Sequence, residues 1–143
     1  MSNGQDSGSV QPQQTPDTPP PAAPAAAIPA KEIEEGKAFA ILSYVLSLIG
    51  LPFFLVPLIT RNNAFSLFHA KQCLLLWLAG VVVSVVSGIL TVICIGPIIG
   101  LVALIGLLVL CVMGLINASK GEAKELPVIG KYAEEWFKGI QKV

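Results

Sequence analysis

The most informative pattern in this chain is a long run without charge: no Asp, Glu, Lys or Arg occurs between Lys71 and Lys120. As one α-helix, this run would be about 72 Å long at ~1.5 Å per residue. The hydrocarbon core of a bilayer is only about 30 Å thick, so the run predicts two membrane-spanning helices of about 20 residues each. Gly96 and Pro97 supply the turn between them. We therefore expect spans over residues 72–95 and 98–118.

A third apolar segment precedes these two. Lys37 and Arg61 bracket the 23 uncharged residues 38–60, which as a helix would be about 35 Å long, enough to cross once with some tilt. Pro52 and Pro57 each remove a backbone donor inside this segment. Its second half therefore either kinks within a full span or folds back as a re-entrant hairpin. With 38–60 as a span, the chain is predicted to be an all-α polytopic membrane protein with three transmembrane helices.

The first 36 residues have a different composition. Residues 1–30 contain seven Pro residues, only two charges, and mostly Gln, Ser, Thr, Gly and Ala. Such a segment cannot bury enough apolar surface to offset the entropy of ordering, so we predict a disordered tail over 1–36. The Pro run at 19–21 favours a polyproline II conformation that recognition domains bind, but a solvated tether is the interpretation we favour. The tail lacks the basic start and apolar stretch of a secretory signal.

Composition and charge narrow the function. Only 13% of the 143 residues are charged, against about 25% in an ordinary soluble domain. Nine basic and nine acidic residues give a net charge of zero, so nothing indicates a nucleic-acid partner. The three cysteines lie in apolar runs without CxxC spacing, and the chain has a single histidine. We therefore predict no metal and no cofactor.

Basic residues also assign an orientation, because short loops rich in Lys and Arg stay in the cytoplasm. If residues 37–120 form three spans joined by a loop over 61–71, two basic residues lie on the amino-terminal side and seven on the other. This split predicts the amino terminus outside and the carboxyl terminus in the cytoplasm.

The 61–71 segment has the features of a helix start. Asn62 or Asn63 can cap a helix that continues into the second span. His69 and Lys71 would then lie where that helix meets the lipid headgroups, with Lys71 extending toward anionic lipid. In the alternative interpretation, His69 is a proton-responsive or partner-binding group, since the pKa of a free histidine is about 6.5.

Small residues recur along the second and third spans at spacings that let helix backbones approach closely. They either pack the helices of one chain, which we favour, or form a dimer face. The spans contain no acidic, basic or histidine side chain, so no buried acid-base catalyst is available and we expect a non-enzymatic protein. The small residues are Gly80, Ser84, Gly88, Gly96, Gly100, Gly106 and Gly114.

Residues 121–143 begin with a turn-rich piece and continue as a short amphipathic pattern. We interpret this pattern as an interfacial amphipathic helix that lies in the membrane surface with its aromatic side down. The alternative is a docking helix for a protein partner. The residues on its apolar face are Ile129, Tyr132, Ala133, Trp136, Phe137 and Ile140.

Several short segments carry a resemblance to a known family. VPLITRNN from residue 56, FHAKQ at 68–72 and the following Leu-Trp resemble the signature of a family of small prokaryotic membrane proteins of unknown function. The closing KGE and LPVIG elements at 120–122 and 126–130 are similar to that family's tail. The family is similar to the Tic-twenty component of chloroplast protein import and includes the MamF/MmsF-like magnetosome membrane proteins.

The resemblance implies an all-helical module of three or four spans in a prokaryotic inner membrane, with a role in translocation or assembly. Two hypotheses follow. In the first, the chain is a scaffold whose cytoplasmic face recruits a protein partner; in the second, it is a self-associating subunit of a protein translocation or small-solute transport complex. The resemblance assigns the interaction motif to Phe68, His69, Lys71, Gln72, Gly121, Glu122, Pro127 and Gly130.

Overall fold

The structure is a computed structural model that describes residues 28–143. The predicted all-α class is confirmed for this part of the chain, which contains no strand. The predicted disordered tail over 1–36 falls mainly on residues 1–27, which lie outside the described residues. Its last part is wrong, because residues 30–36 are helical. The elements are α1 (Ala30–Leu48), α2 (Leu55–Thr60), α3 (Ala64–Leu90), a 3₁₀ turn (Thr91–Ile93), α4 (Gly96–Lys120) and α5 (Ile129–Trp136).

Within residues 28–143, two helical segments have the length and apolar composition needed to cross a membrane: Ala64–Ile93, with 30 residues, and Gly96–Lys120, with 25. They contain the predicted spans 72–95 and 98–118 almost entirely. Large apolar side chains cover the outer surface of both, and Val92 at the α3–α4 turn is 88% exposed. A hydrocarbon environment accounts for such a surface on two helices whose backbone bonds are satisfied internally.

The prediction of one span over 38–60 is wrong, because α1 ends at Leu48. Gly50 adopts a left-handed conformation with φ 85°. Its N–H donates to the carbonyl of Ser47, and the N–H of Leu51 donates to the carbonyl of Leu46. This is the Schellman arrangement that terminates helices. From Lys37 to its end, α1 is only about 17 Å long at ~1.5 Å per residue, roughly half the hydrocarbon thickness.

The chain then returns to the end where α1 began, as the re-entrant alternative predicted. The rings of Phe39 in α1 and Phe53 in the return segment stack with centroids 6.3 Å apart. At the start of α3, Asn63 Nδ2 donates to the carbonyl of Glu32 at 2.8 Å. The N–H of Ala64 donates to the Glu32 carboxylate at 2.9 Å. The first turns of α1 and α3 therefore lie side by side.

Charged residues in the described part of the chain are confined to one end of this bundle. The carboxyl-terminal segment reaches it too, through an ion pair between Lys142 and Glu32 and another between Glu134 and Lys71. We call residues 28–37, 61–71 and 120–143 the charged end. It holds all nine Lys and Arg residues, so the predicted two-to-seven split between opposite faces is wrong. The first segment reverses direction, which brings its two flanks together.

Candidate functional site at the charged end

The FHAKQ element lies in the first turns of α3, which begins at Ala64 inside the segment predicted as a loop. Asn63 caps the helix as expected, since its Oδ1 accepts from the N–H of Ser66 at 2.9 Å. The side chains of the element are turned inward. Exposed fractions are 4% for Phe68, 0% for His69, 7% for Lys71 and 0% for Gln72, so the element has little surface to offer a partner directly.

His69 connects three segments of the chain. Its Nε2 lies 3.1 Å from the carbonyl of Glu122, and its Nδ1 lies 3.3 Å from the hydroxyl of Tyr44. Because a carbonyl can only accept, Nε2 carries the proton, and in the neutral ring Nδ1 is the acceptor. The rings of Phe65 and Phe68 pack edge-on against the imidazole at centroid distances of 4.8 and 5.3 Å. The ring is thus fixed in position by α1, α3 and the segment after α4.

Gln72 extends the same network one turn further along α3. Its Nε2 donates to the carbonyl of Lys124 at 3.2 Å, which turns its Oε1 toward the Tyr44 hydroxyl at 3.3 Å. The single hydroxyl proton of Tyr44 is therefore shared between two acceptors, Oε1 of Gln72 and Nδ1 of His69. A buried network whose polar atoms are satisfied rigidifies the parts that it joins.

Lys71 forms the deeper of the two ion pairs. Its Nζ lies 3.3 Å from Glu134 Oε2, and the two side chains are 8% and 32% exposed. The Lys71 side chain does not extend outward from the helix as predicted, because α5 covers it and supplies the carboxylate. Breaking such a covered pair by removing one partner costs more than the pair contributes, since the other charge is left without compensation.

Glu32 is the second anchor of the carboxyl-terminal segment. Its carboxylate accepts from the Lys142 ammonium and from the N–H of Ala64. The hydrogen bond from Lys142, followed by the one from Ala64, holds the pKa of Glu32 below its ordinary value of 4.5. The N–H of Val143 donates to the carbonyl of Arg61 at 2.9 Å. The last residues of the chain thereby close over the start of α1 and α3.

The tail residues predicted as part of the interaction motif take part in the site mainly through their backbone. Gly121 ends α4 with φ 75° and packs against Ile33, which confirms the predicted left-handed termination. Glu122 offers its carbonyl to His69, while its side chain is exposed. Gly130 is buried against Glu125, where a Cβ would meet backbone atoms. Pro127 is exposed.

α5 divides its apolar residues between two faces. Ala133 is fully buried against α3, and Ile129, Phe137 and Ile140 are half-buried beside it. The opposite face carries a stripe of Val128, Tyr132 and Trp136, which are 80%, 50% and 66% exposed. The single aromatic face predicted for this helix is therefore two faces, one packed and one free.

The small residues of the spans serve different purposes. Gly114 lies directly against the ring of Tyr44. Gly96 and Gly100 lie against Ser87 in the last turn of α3. A Cβ on Gly80 would touch only Leu107, at 3.9 Å, while Gly88 and Gly106 face open space. Ser84 donates to the carbonyl of Gly80. The favoured interpretation, intrachain packing, thus describes Gly96, Gly100 and Gly114, whereas Gly88 and Gly106 have no neighbour in the described residues.

A groove of about 630 Å³ opens above the end of α1, between α3 and α4. Its walls are mostly apolar, with hydroxyl groups from Tyr44, Ser47, Ser84 and Ser87. The Oγ of Ser87 is buried and has no hydrogen-bond partner among residues 28–143. The groove exists because α1 reverses halfway along the two longer helices.

Three residues of the site were not predicted from the sequence. Tyr44, Glu32 and Glu134 join the FHAKQ element to α1 and to the tail. Tyr44 is a polar residue inside an apolar segment, which is a usable signal, since such groups are buried with partners. Glu32 and Glu134 lie 32 residues before Ala64 and 63 residues after Lys71, and no local spacing reveals those pairings.

The fold and the site together define a helical membrane protein with two long apolar helices and a charged end built from both flanks of the chain. Its sequence matches the magnetosome magnetite crystal formation protein family over residues 35–133. The chain belongs to this family, which confirms the resemblance to MamF/MmsF-like proteins. It is also similar to a UPF0132 membrane protein of Methanocaldococcus jannaschii, with 34% identity over 107 residues that cover 71% of this chain and 70% of the relative. No solved structure matches the chain.

Proposed function

We propose that this protein is a non-enzymatic membrane scaffold that recruits a protein partner at the charged end. The observation that carries the proposal is the build of that end: α1, α3 and the tail are joined by a buried polar network and two ion pairs. A preorganised surface loses little conformational freedom on binding. The family description, which refers to magnetite crystal formation, is compatible with a role in organising a membrane structure.

The charged end is proposed to face the cytoplasm of a prokaryotic cell. All nine basic residues lie on it, and the positive-inside rule then assigns the whole end to the cytoplasmic side. α3 and α4 cross the membrane and return, and the α1–α2 hairpin enters it and leaves from the same side. Both flanks of the described chain are thus cytoplasmic in this proposal.

The surface proposed to contact the partner is the free face of α5. Tyr132 and Trp136 form an exposed pair with ring centroids 6.0 Å apart, and Tyr and Trp are the residues most often found at binding hot spots. The FHAKQ element acts one layer below: His69 and Lys71 position the tail rather than contact the partner.

In-cell photocrosslinking tests this proposal. A photoreactive residue at 132 or 136 is expected to give a protein adduct of defined mass, and the same residue at Ile89, which is exposed on the far half of α3, is expected to give none. His69→Ala should weaken the adducts while leaving membrane insertion intact, because it loosens the tail. The absence of adducts at both positions, or the same adducts at 89, would count against the scaffold.

A second candidate function is a subunit of a translocation or solute-transport complex, the role that the resemblance to the Tic-twenty component suggests. The observation that favours it is the groove with four hydroxyl-bearing residues, between α1 and the two long helices. Gly88 and Gly106 leave room for a second copy to approach. This candidate predicts stable oligomers and solute flux in reconstituted vesicles; vesicles that contain verified oligomers and show no flux would exclude it.

A further inference from the structure

A second cavity, of about 290 Å³, lies between the first turns of α3 and the carboxyl-terminal segment. Its volume is slightly below the range of about 300–1,000 Å³ that drug-sized ligands occupy. Leu67, Phe68 and Ile140 form an apolar part of its wall, and Lys71, Glu134 and Lys142 supply charge. The cavity is therefore amphipathic, and it is large enough for a small polar group but not for a whole lipid.

The ion pair in its wall is incompletely satisfied. A lysine ammonium has three donors, and among residues 28–143 Nζ of Lys71 has one hydrogen-bond partner, Glu134 Oε2 at 3.3 Å. The second carboxylate oxygen, Oε1 of Glu134, is buried and has no partner among residues 28–143. Unmet buried donors and acceptors carry a desolvation cost that a ligand can remove. The cavity thus has an unused donor and an unused acceptor on adjoining side chains.

The charge of the cavity restricts the ligand. Lys71 and Glu134 compensate each other, and Lys142 is paired with Glu32. A purely anionic or purely cationic ligand would leave one member of the Lys71–Glu134 pair opposed by a like charge. A zwitterion with an anionic acceptor next to a cationic N–H donor matches both groups at once.

The position of the cavity indicates the source of such a zwitterion. Lys71 is the last charged residue before the uncharged run that ends at Lys120, so in a bilayer the cavity lies at the depth of the lipid headgroups. Among the α3 residues that line the cavity, Lys71 is the nearest to the uncharged run, and Leu67 and Phe68 lie further from it. A lipid that places its headgroup here can keep its acyl chains along the exposed surface of α3.

We propose that this cavity binds the phosphoethanolamine headgroup of a membrane phospholipid. The phosphate accepts from Lys71 Nζ, and the primary ammonium donates to the Glu134 carboxylate. The inference is independent of the proposed recruitment of a partner, but it rests on the placement of α3 in the membrane.

Native mass spectrometry of the full-length chain, delipidated in detergent, tests the proposal. The probes are phosphatidylethanolamine, phosphatidylcholine and phosphatidylglycerol with the same acyl chains. Phosphatidylcholine keeps the phosphate but has no N–H donor, so we expect phosphatidylethanolamine to bind at least about tenfold more tightly, which corresponds to about 1.4 kcal/mol. Equal retention of these two lipids would overturn the proposal. Displacement by an equal concentration of free phosphoethanolamine would overturn the assignment to a lipid.

A pair of variants makes the test specific. Glu134→Gln removes the negative charge from the cavity, so the preference is expected to shift from phosphatidylethanolamine to the anionic phosphatidylglycerol. Glu135→Gln is the matched control, because Glu135 is the neighbouring carboxylate and is exposed outside the cavity. An unshifted preference in the first variant, or the same shift in the control, would contradict the proposal.

If Glu134→Gln does not fold, Glu134→Asp replaces it. The shorter side chain keeps the charge but withdraws the carboxylate from the ammonium of the lipid. We expect weaker retention of phosphatidylethanolamine without a new preference for phosphatidylglycerol, and unchanged retention would overturn the assignment of Glu134.

Discussion

At the scale of single residues, Asn63 shows how much one side chain contributes to this fold. Its Oδ1 caps α3, its Nδ2 donates to the carbonyl of Glu32, and its amide fills the space beside Gly36. A Cβ on Gly36 would collide with that amide. Asn63 thus fixes the beginning of α3 against α1, which is the contact that closes the hairpin.

The first prediction compares the two neighbouring asparagines. Asn63→Ala should destabilise the protein by about 1–3 kcal/mol, since it removes a helix cap and a partly buried hydrogen bond. Asn62 is exposed, and its side chain lies 3.5 Å from the Thr60 hydroxyl, so Asn62→Ala should change stability by less than about 0.5 kcal/mol. Thermal unfolding in detergent, followed by circular dichroism, measures the difference. Equal losses would mean that the cap does not hold the two helices together.

Two glycines of α4 are expected to differ in how their replacement by alanine changes stability. Gly114→Ala should cost about 1–3 kcal/mol, the range for overpacking, because the new methyl would collide with the ring of Tyr44. It should also displace the Tyr44 hydroxyl from His69. Gly106 faces open space, so Gly106→Ala should leave stability unchanged or raise it. The same unfolding measurement decides between them, and a loss at Gly106 as large as that at Gly114 would contradict the packing described here.

The FHAKQ element could be singled out from the sequence, but the burial of its side chains could not. A lysine and a histidine at the end of an apolar run usually lie in the headgroup layer. Here the segment after α4 covers His69 through the Glu122 carbonyl, and a short helix that begins 58 residues after Lys71 covers Lys71 and supplies Glu134. The distance along the chain is the physical reason that this contact leaves no local pattern.

At the scale of the elements, the two long helices could be predicted from the uncharged run, because its length leaves no alternative to two crossings. Their ends could be predicted from Asn63 and Gly121, which cap α3 and terminate α4. The hairpin was one of two possibilities. Gly50 followed by Pro52 is typical of a helix end and favours the hairpin. The uncharged run around this pair is nevertheless long enough for a complete span, so its length favours the other alternative.

The third prediction concerns the attachment of the tail. Because Lys142 and Ala64 hold the pKa of Glu32 below 4.5, this group stabilises the folded state above pH 4.5. That contribution is lost as the pH falls through the lowered pKa of the folded state. We therefore expect backbone amide exchange of residues 137–143, corrected for the intrinsic pH dependence, to lose protection in that acidic range.

A variant supplies the control for this effect. Glu32→Gln should show the loosened tail at neutral pH and little further change in acid, whereas Glu35→Gln, at an exposed position paired with Lys31, should behave as the unmodified chain. High salt should weaken the Lys142 contact in the same direction, because both side chains are partly exposed. Unchanged protection in Glu32→Gln would show that the ion pair does not hold the tail.

In the molecule as a whole, the charged residues of the described chain lie at one end of the long axis of the helical bundle. The charged end gathers both flanks of the described chain, and the opposite end consists of the uncharged α3–α4 turn. α1 and α2 reach only partway along this axis, so in the proposed topology two helices cross the bilayer and one hairpin enters it. This arrangement makes the proposed cytoplasmic surface a single continuous platform rather than two separate termini.

In the proposed topology, the first apolar segment reverses inside the membrane and returns to the face that it entered. Single cysteines at Lys31, Asn62, Val92 and Lys138, in a chain whose three native cysteines are replaced, can be labelled in intact cells with a membrane-impermeant thiol reagent. We predict that only position 92 reacts from outside, and that 31, 62 and 138 react together once the cytoplasmic side is opened. Labelling of position 31 from outside, with 62 and 138 still protected, would show that the first apolar segment crosses the membrane instead of reversing.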